Sequence, residues 1–375
     1  MQNFTPLELT QHLVGFNTVN PPGDEHVVME KIGAVLEDAG FTTQIFHISE
    51  TRSNLVASLD GSADGLPIVF TGHIDVVPLG DVDWSFDPFR GETDSGRIYG
   101  RGTSDMKSGI ATMMLAALRV AKEPKRKRGL VLIFTADEEV GCAGSQLLVK
   151  EPMGFDQAGA IVVGEPTGNY PLIGHKGIIW AQVETHGVSA HASMPEQGDN
   201  ALSKMAKIIA RIDEHGLGIP EHPILGGGTH NVGTLQSGSN PNLVPNHACM
   251  GIDIRTVAGQ SNDDVLHALK HLVGNDADVT PTVNLESVMT DHEDEWVQSC
   301  FDITEPVLGK RPKPKGATYV TDASILKPAL GNPPTIILGP GEPTMAHKTD
   351  EYCDIDKLDK SIDVYHEIAH RWCFS

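Results

Sequence analysis

Four apolar runs in this chain each lead to a side chain able to ligate a metal, and a glycine turn delivers a fifth. IVFTG runs into His73, with Asp75 two residues on. LVLIFTA runs into Asp137, Glu138 and Glu139, AIVVG into Glu165, and TIILGPGEPTMA into His347. The turn YGRGTSD ends on Asp105 at the start of a helical pattern. Each has an ordinary reading when taken alone. His73 is a satisfied turn histidine, Asp105 a helix cap, Glu138 and Glu139 a solvated pair, and Glu165 a loop acid before Pro166. Five such residues, all at strand ends or helix starts, point instead to one site.

Imidazole and carboxylate together suit Zn²⁺ and also tolerate Co²⁺ or Mn²⁺. Two histidines and three carboxylates exceed what one catalytic zinc with an open position needs. They suit two metals about 3.5–4 Å apart that share a carboxylate and a water. Asp75 stands where a carboxylate could orient the His73 ring, or act as a local capping acid. Glu138 and Glu139 can divide the labour, one binding metal and one moving the proton of the attacking water. Spacing alone does not say which does which.

These residues need a scaffold that gathers strand ends. Residues 25–39 show helical periodicity and end at Gly40. TTQIFHI, NLVASL, IVFTG, LVLIFTA and AIVV read as strands, separated by a helix through GIATMMLAALRVA. This alternation predicts an α/β fold with a mostly parallel sheet, in which ligands sit at the carboxyl ends of the strands. Near Lys176 the rhythm changes to GIIWAQVETHG, a helix over NALSKMAKIIARIDEH, HNVGTLQSG, ACMGIDIRT, a helix over DDVLHALKHLVG, and DVTPTVNLES. We read residues 176–287 as a smaller α+β domain inserted into a larger one formed by residues 1–175 and 288–375. The larger one resumes with a helix near 294–308, the strand TIILG and a closing helix over 356–372.

Composition excludes several function classes. The 375 residues carry 28 basic and 50 acidic side chains, a net charge of −22, which repels nucleic acid and anionic lipid. No apolar run is long enough to span a membrane, and the N-terminal MQNFTPLELTQHL has no leader pattern. Five widely spaced cysteines without C-x-x-C fit the reducing cytoplasm. Cys142 reads as a small core residue. No phosphate-binding loop and no G-x-S-x-G elbow are present. His366-Glu367-Ile368-Ala369-His370 matches H-E-x-x-H, but seventeen histidines make a chance match easy and only Arg-Trp-Cys-Phe-Ser remain downstream, where the third ligand of such a site usually lies, so it is discounted as the catalytic metal site. A non-catalytic protein on the same fold is the other competing reading, although every candidate ligand and base is present.

TGHIDVVP, SFDPF, GRIYGRGTSDMKSG, TADEEVG and VGEP closely resemble the zinc aminoacylase and carboxypeptidase family, in its acetylornithine deacetylase and succinyl-diaminopimelate desuccinylase branch. HGVSAHASMPEQGDNA, NPNLVP, DIR, YVTDAS and GPGEPTMAHKTDE extend the resemblance over nearly the whole chain. It implies two Zn²⁺ per subunit, with Co²⁺ or Mn²⁺ able to substitute. His73, Asp105 and Glu165 would hold one; Asp105, Glu139 and His347 the other. Glu138 would be the general base and Asp75 would orient His73. The peptide after Asp105 would be cis. His191, reaching across a homodimer formed by the inserted domain, would stabilise an oxyanion. Asn242 and Arg255 would contact substrate, with a turn role and a structural ion pair as their alternatives, and Thr321 would lie in a loop that touches it. The implied reaction is deacylation of a small N-acyl amino acid by a metal-bound hydroxide. A dipeptidase or carboxypeptidase using the same site is the alternative. GATYVTDAS departs from the glycine-rich loop usual in desuccinylases and favours a broader deacylase.

Overall fold

The computed structural model describes residues 4–62 and 65–375. Residues 1–3, the head of the N-terminal stretch considered above for a leader, and residues 63–64 lie outside it. The chain divides into two compact units. One comprises Met1–Gly174, Thr290–Lys315 and Thr321–Ser375; the other comprises His175–Met289 and Gly316–Val320.

The first unit is organised by a six-stranded sheet in the order Thr42–His47, Ser53–Leu59, Leu130–Thr135, Ile68–His73, Ala160–Val163, Thr335–Ile337. The last four run parallel, while the first two form an antiparallel extension. The mixed α/β fold with a largely parallel sheet is thus the one predicted. Every residue of Ile68–His73, Leu130–Thr135 and Ala160–Val163 is buried. Successive side chains on a strand point to opposite faces, so both faces are covered. That is why these strands read as unbroken apolar runs rather than alternating ones.

The helix Lys107–Lys122 is apolar nearly all round, and 13 of its 16 residues are buried. Such a helix belongs inside a core rather than on its surface. It packs on the central strand Ile68–His73 and along the C-terminal helix Ile355–Phe374. Gly109 brings its first turn against the sheet. A Cβ there would meet the carbonyl oxygen of Gly164 at 2.2 Å, so only glycine allows the helix to approach the strand end that carries Glu165.

The second unit is a four-stranded antiparallel sheet, ordered Thr229–Ser237, His247–Thr256, Gly177–His186, Ala277–Leu285. Alternate residues Ala248, Met250, Ile252 and Ile254 are buried and join Met205, Ile208 and Ile212 of the helix Ala201–His215. Val265 and Leu269 of the helix Asn262–Val273 complete that core. Asn200 and Ser261 start the two helices by accepting from the backbone N–H groups of Ser203 and Asp264. The result is a one-sided sheet with its own apolar core.

Candidate metal centre

The parallel strands deliver their chemistry at one end. His73 is the last residue of the central strand and is paired in register with Thr135. The neighbouring strand therefore turns into Asp137, Glu138 and Glu139 at the same level. Thr71 pairs with Val163, which places Glu165 just beyond the other neighbour. His347 follows the edge strand Thr335–Ile337 through a loop, and its own backbone has φ 64°. Asp105 precedes the helix Lys107–Lys122, and its peptide to Met106 is cis.

The side chains converge in two groups that share Asp105. His73 Nε2 lies 3.2 Å from Asp105 Oδ1 and 3.6 Å from Glu165 Oε1. His347 Nε2 lies 3.0 Å from Glu139 Oε2 and 3.4 Å from Asp105 Oδ2. Within each group the donor atoms all fall within 4.8 Å of one another. Glu138 belongs to neither group, yet its Oε2 is 4.0 Å from His73 Nε2. Most of this cluster is buried, but the His347 side chain is 55% exposed, so the centre opens to solvent on that side.

A frame of hydrogen bonds holds these residues. His73 Nδ1 is 2.9 Å from the carbonyl oxygen of Asp75 and 3.6 Å from its Oδ1. The Asp75 carboxylate accepts from the backbone N–H groups of Glu138 and Glu139, at 3.2 Å each. One buried acid thus ties the His73 strand to the turn bearing both glutamates. Asn20 donates to Asp75 at 2.9 Å and to Asp137 at 2.8 Å, and Arg52 links Asp137 to buried Glu25. On the other side, Glu351 accepts from the N–H groups of Ser104 and Asp105 at 2.8 and 2.9 Å, and from Gly102 at 3.1 Å. Arg101, itself buried, pairs with Glu351 at 2.6 Å. Glu351, Asn20, Arg52 and Glu25 are absent from the sequence-based candidates. Nothing in local spacing marks partners that lie 27 residues (Arg52–Glu25) or 246 residues (Glu351–Asp105) away.

The electrostatics of the cluster are one-sided. Five carboxyl groups face two imidazoles. Burial, reinforced by Asp105, pushes the Glu165 carboxyl well above the usual carboxylate range. Burial also raises Glu138, with help from Asp322, Glu139 and Asp75 and against the pull of His73. Burial and the neighbouring Asp105 raise Glu139 as well. Burial opposes a charge on His73, but Glu165, Asp105 and Asp75 together hold its pKa well above the ordinary value. Hydrogen bonds that its ring donates to Asp105 and Glu139 lift His347 to about 10. Asp105 goes the other way despite its burial, because His347 and His73 both donate to it. Glu139 Oε1 is buried and has no hydrogen-bond partner. Excess buried carboxylate with an orphaned oxygen is the environment that divalent cations neutralise, and the N/O donor set fits Zn²⁺ or its first-row neighbours.

The remaining predicted residues have local partners. In the second unit, His191 is exposed and its Nδ1 is 2.8 Å from Ser193 Oγ. Asn242 is exposed beside it, its carbonyl accepting from the Ala192 N–H at 2.9 Å. Arg255 makes two 2.9 Å bonds to Asp253, the ion-pair arrangement weighed for it above. In the first unit, Thr321 is buried and its hydroxyl accepts from the Ala323 N–H at 3.1 Å. Cys142 is buried, with its sulfur 3.6 Å from Glu138 Oε1, and burial raises its thiol pKa well above the ordinary value.

Peptidase family M20/M25/M40 matches residues 69–371. A probable succinyl-diaminopimelate desuccinylase of Staphylococcus epidermidis is 29% identical, covering 96% of this chain and 96% of its own. An acetylornithine deacetylase of Vibrio atlanticus is 27% identical, covering 94% of this chain and 93% of its own. The crystal structure of a family M20 metallo-carboxypeptidase from Sulfolobus solfataricus superposes with a TM-score of 0.82. That structure is 18% identical and covers 98% of both chains, a likeness of fold.

Proposed function

The chain belongs to peptidase family M20/M25/M40 and is a hydrolase of amide bonds, and from that premise we propose that it deacylates an N-acyl amino acid. The observation that carries this reading is the pair of donor groups sharing Asp105, with Glu138 beside them and in neither. His73, Asp105 and Glu165 would hold one divalent cation, and Asp105, Glu139 and His347 a second. When bound, two such cations supply Lewis acidity toward the acyl carbonyl and make a water nucleophilic at neutral pH.

The chain's own residues do the rest. Glu138 takes the proton of the attacking water and returns it to the departing amine nitrogen, one carboxyl serving as base and then as acid. Its freedom from either donor group is what leaves it available for both transfers. Asp75 fixes the His73 ring through the 2.9 Å contact to its carbonyl, and it holds the Glu138 turn through backbone N–H groups. Glu351 fixes the backbone of Asp105. His191, Asn242 and Arg255 are assigned to the substrate, with His191 donating to the oxyanion of the tetrahedral intermediate. Arg255 must then exchange its Asp253 partner for a substrate carboxylate, or share it.

The inserted unit is assigned as the homodimer contact that brings His191 to a partner's site; an active strict monomer would remove that assignment. No helix is long and apolar enough to cross a membrane among the described residues, and all five cysteines are free. The free thiols support the proposed place in the reducing cytoplasm.

The test is amine release from N-acetylornithine, N-succinyl-diaminopimelate, other N-acyl amino acids and simple dipeptides, with zinc present and after chelation. Zinc-dependent release from an acyl amino acid is expected. Release from dipeptides alone would replace the deacylase reading with a dipeptidase or carboxypeptidase one.

A further inference from the structure

The H-E-x-x-H stretch set aside as a catalytic motif acquires a third donor in the fold. His366 and His370 stand one turn apart on the helix Ile355–Phe374 and so share a face. Opposite them is Glu123, the residue that ends the helix Lys107–Lys122. Glu123 Oε1 is 2.6 Å from His366 Nε2, and Glu123 Oε2 is 2.7 Å from His370 Nδ1. Each carboxylate oxygen meets one ring nitrogen. Glu367, the acid inside the motif, points elsewhere and pairs with Arg371 at 2.7 Å.

We propose that Glu123, His366 and His370 form an additional binding site for a Zn²⁺-class transition-metal ion, separate from the Asp105 centre. The three donors can present their ligand atoms within 4.8 Å of one another. Two imidazoles and one carboxylate match zinc chemistry and argue against Ca²⁺ or Mg²⁺, which take oxygen ligands. The present separations of 2.6 and 2.7 Å suit a shared proton. An ion bound at about 2.0–2.2 Å from each donor, with tetrahedral angles, takes the place of the hydrogen-bonding protons and spreads each donor pair by about 0.6–0.9 Å. Side-chain exposures of 27%, 43% and 29% for His366, His370 and Glu123 leave an open approach and room for a water as fourth ligand.

The site is held from both sides. The His366 and His370 positions are fixed by the helix itself, and the His370 ring stacks on Phe374 at 4.8 Å. Glu123 sits at the start of a segment that returns to the same helix, where the Lys127 and Arg128 N–H groups both donate to the Cys373 carbonyl at 2.7 and 3.1 Å. A bound ion therefore clamps the end of the buried helix Lys107–Lys122 to the C-terminal helix. Those 16 residues put the site roughly 24 Å along the helix from the Asp105 end. Glu367, the acid that would serve as base in such a motif, is engaged by Arg371, so the role assigned to this ion is structural rather than catalytic.

The experiment compares zinc content at equilibrium, over a range of free zinc, in the full-length wild type, a His366→Ala/His370→Ala variant and Glu123→Gln. The expected result is one equivalent more in wild type than in either variant, with that equivalent raising the wild-type Tm and amide hydrolysis unchanged in the variants. The count is a difference, so it is independent of how many ions the Asp105 centre takes. Glu123→Gln changes one atom and keeps the test open if the double variant does not fold. Equal zinc content in wild type and Glu123→Gln would overturn the proposal.

Discussion

The helix Lys107–Lys122 has a donor cluster at each end, and the two are balanced in opposite ways. At the Asp105 end, five carboxyl groups crowd two imidazoles, with His73, Asp75, Asp105 and Glu165 buried and the whole framed by Asn20, Arg52, Arg101 and Glu351. At the Glu123 end, one carboxylate faces two imidazoles with partial exposure, and each acid oxygen already has a partner. Buried charge of one sign is costly until something of the opposite sign joins it. The first cluster therefore requires cations to be a comfortable part of the fold. The second is satisfied without one and gains a clamp when one arrives. On the two proposals made above, the same residue types would serve chemistry at one end and crosslinking at the other.

The largest expected contrast comes from removing the shared ligand. Asp105→Ala takes a donor from both groups, so metal content should fall at the centre and turnover should drop by roughly 10³-fold or more. Elemental analysis beside an amine-release assay checks this. Glu123→Ala, at the other end, should leave turnover alone; equal losses from both would erase the distinction.

Next in size is the buried frame. Glu351→Gln leaves the Arg101 guanidinium buried without its counter-charge, and breaking such a pair costs about 3–5 kcal/mol. Denaturant unfolding measures it. A loss under about 1 kcal/mol would mean that Glu351 is not holding the Asp105 turn as a charged group.

The clusters should also differ in the sign of their pH dependence. In metal-free protein, the raised pKa values of Glu138, Glu139, Glu165, His73 and His347 mean that the folded state holds more protons than the unfolded one. Stability from these groups is present at low pH and is lost as pH rises from about 4.5 toward about 10, the His347 value. Asp105 and Asp75 are lowered and act oppositely, but only as pH falls through and below the ordinary aspartate value of 3.8. Bound cations displace the extra protons, so the metal-loaded protein should lose most of the slope. Burial pushes Glu123 up, but the hydrogen bonds and charges of His366 and His370 together outweigh it and hold it lowered, so its contribution is present above its ordinary value of 4.5 and lost as pH falls below it. Thermal melts of metal-free and loaded protein between pH 5 and pH 9 check the first sign. A metal-free Tm that rises across that range would reverse the electrostatic picture of the centre.

The smallest effect is at the peripheral pairs without metal. Glu123→Gln in chelated protein should cost about 1 kcal/mol or less, because the side chains are partly exposed and screened. A larger loss would make the ion pairs themselves the clamp.

The sequence reading reached some of these parts and missed others for physical reasons. His73, Glu138, Glu139 and Glu165 were legible because strands buried on both faces read as apolar runs, and the polar residue ending each run falls at the ligand-binding edge of a parallel sheet. The second sheet was legible as alternation, since only one of its faces packs on helices. Glu351 and Asn20 were invisible, because their partners come from distant segments through buried hydrogen bonds that leave no local pattern. Glu123, the acid that faces His366 and His370, leaves no local mark beside them because it lies 243 residues before His366. The short ribbon of Thr93–Asp94, Arg97–Tyr99 and Tyr352–Asp354 is too brief to carry periodicity. The first helix, Pro6–Val14, did carry a signal. Thr5 and Glu8 form a capping box with proline in the first turn, a pattern readable from TPLE.

The assignment of Glu138 as the proton carrier is tested most directly by measuring metal content and amine-release rate together in Glu138→Ala. A full metal complement with turnover reduced by about 10²–10⁴-fold is the expected result. Turnover within tenfold of wild type, with the metals in place, would contradict it.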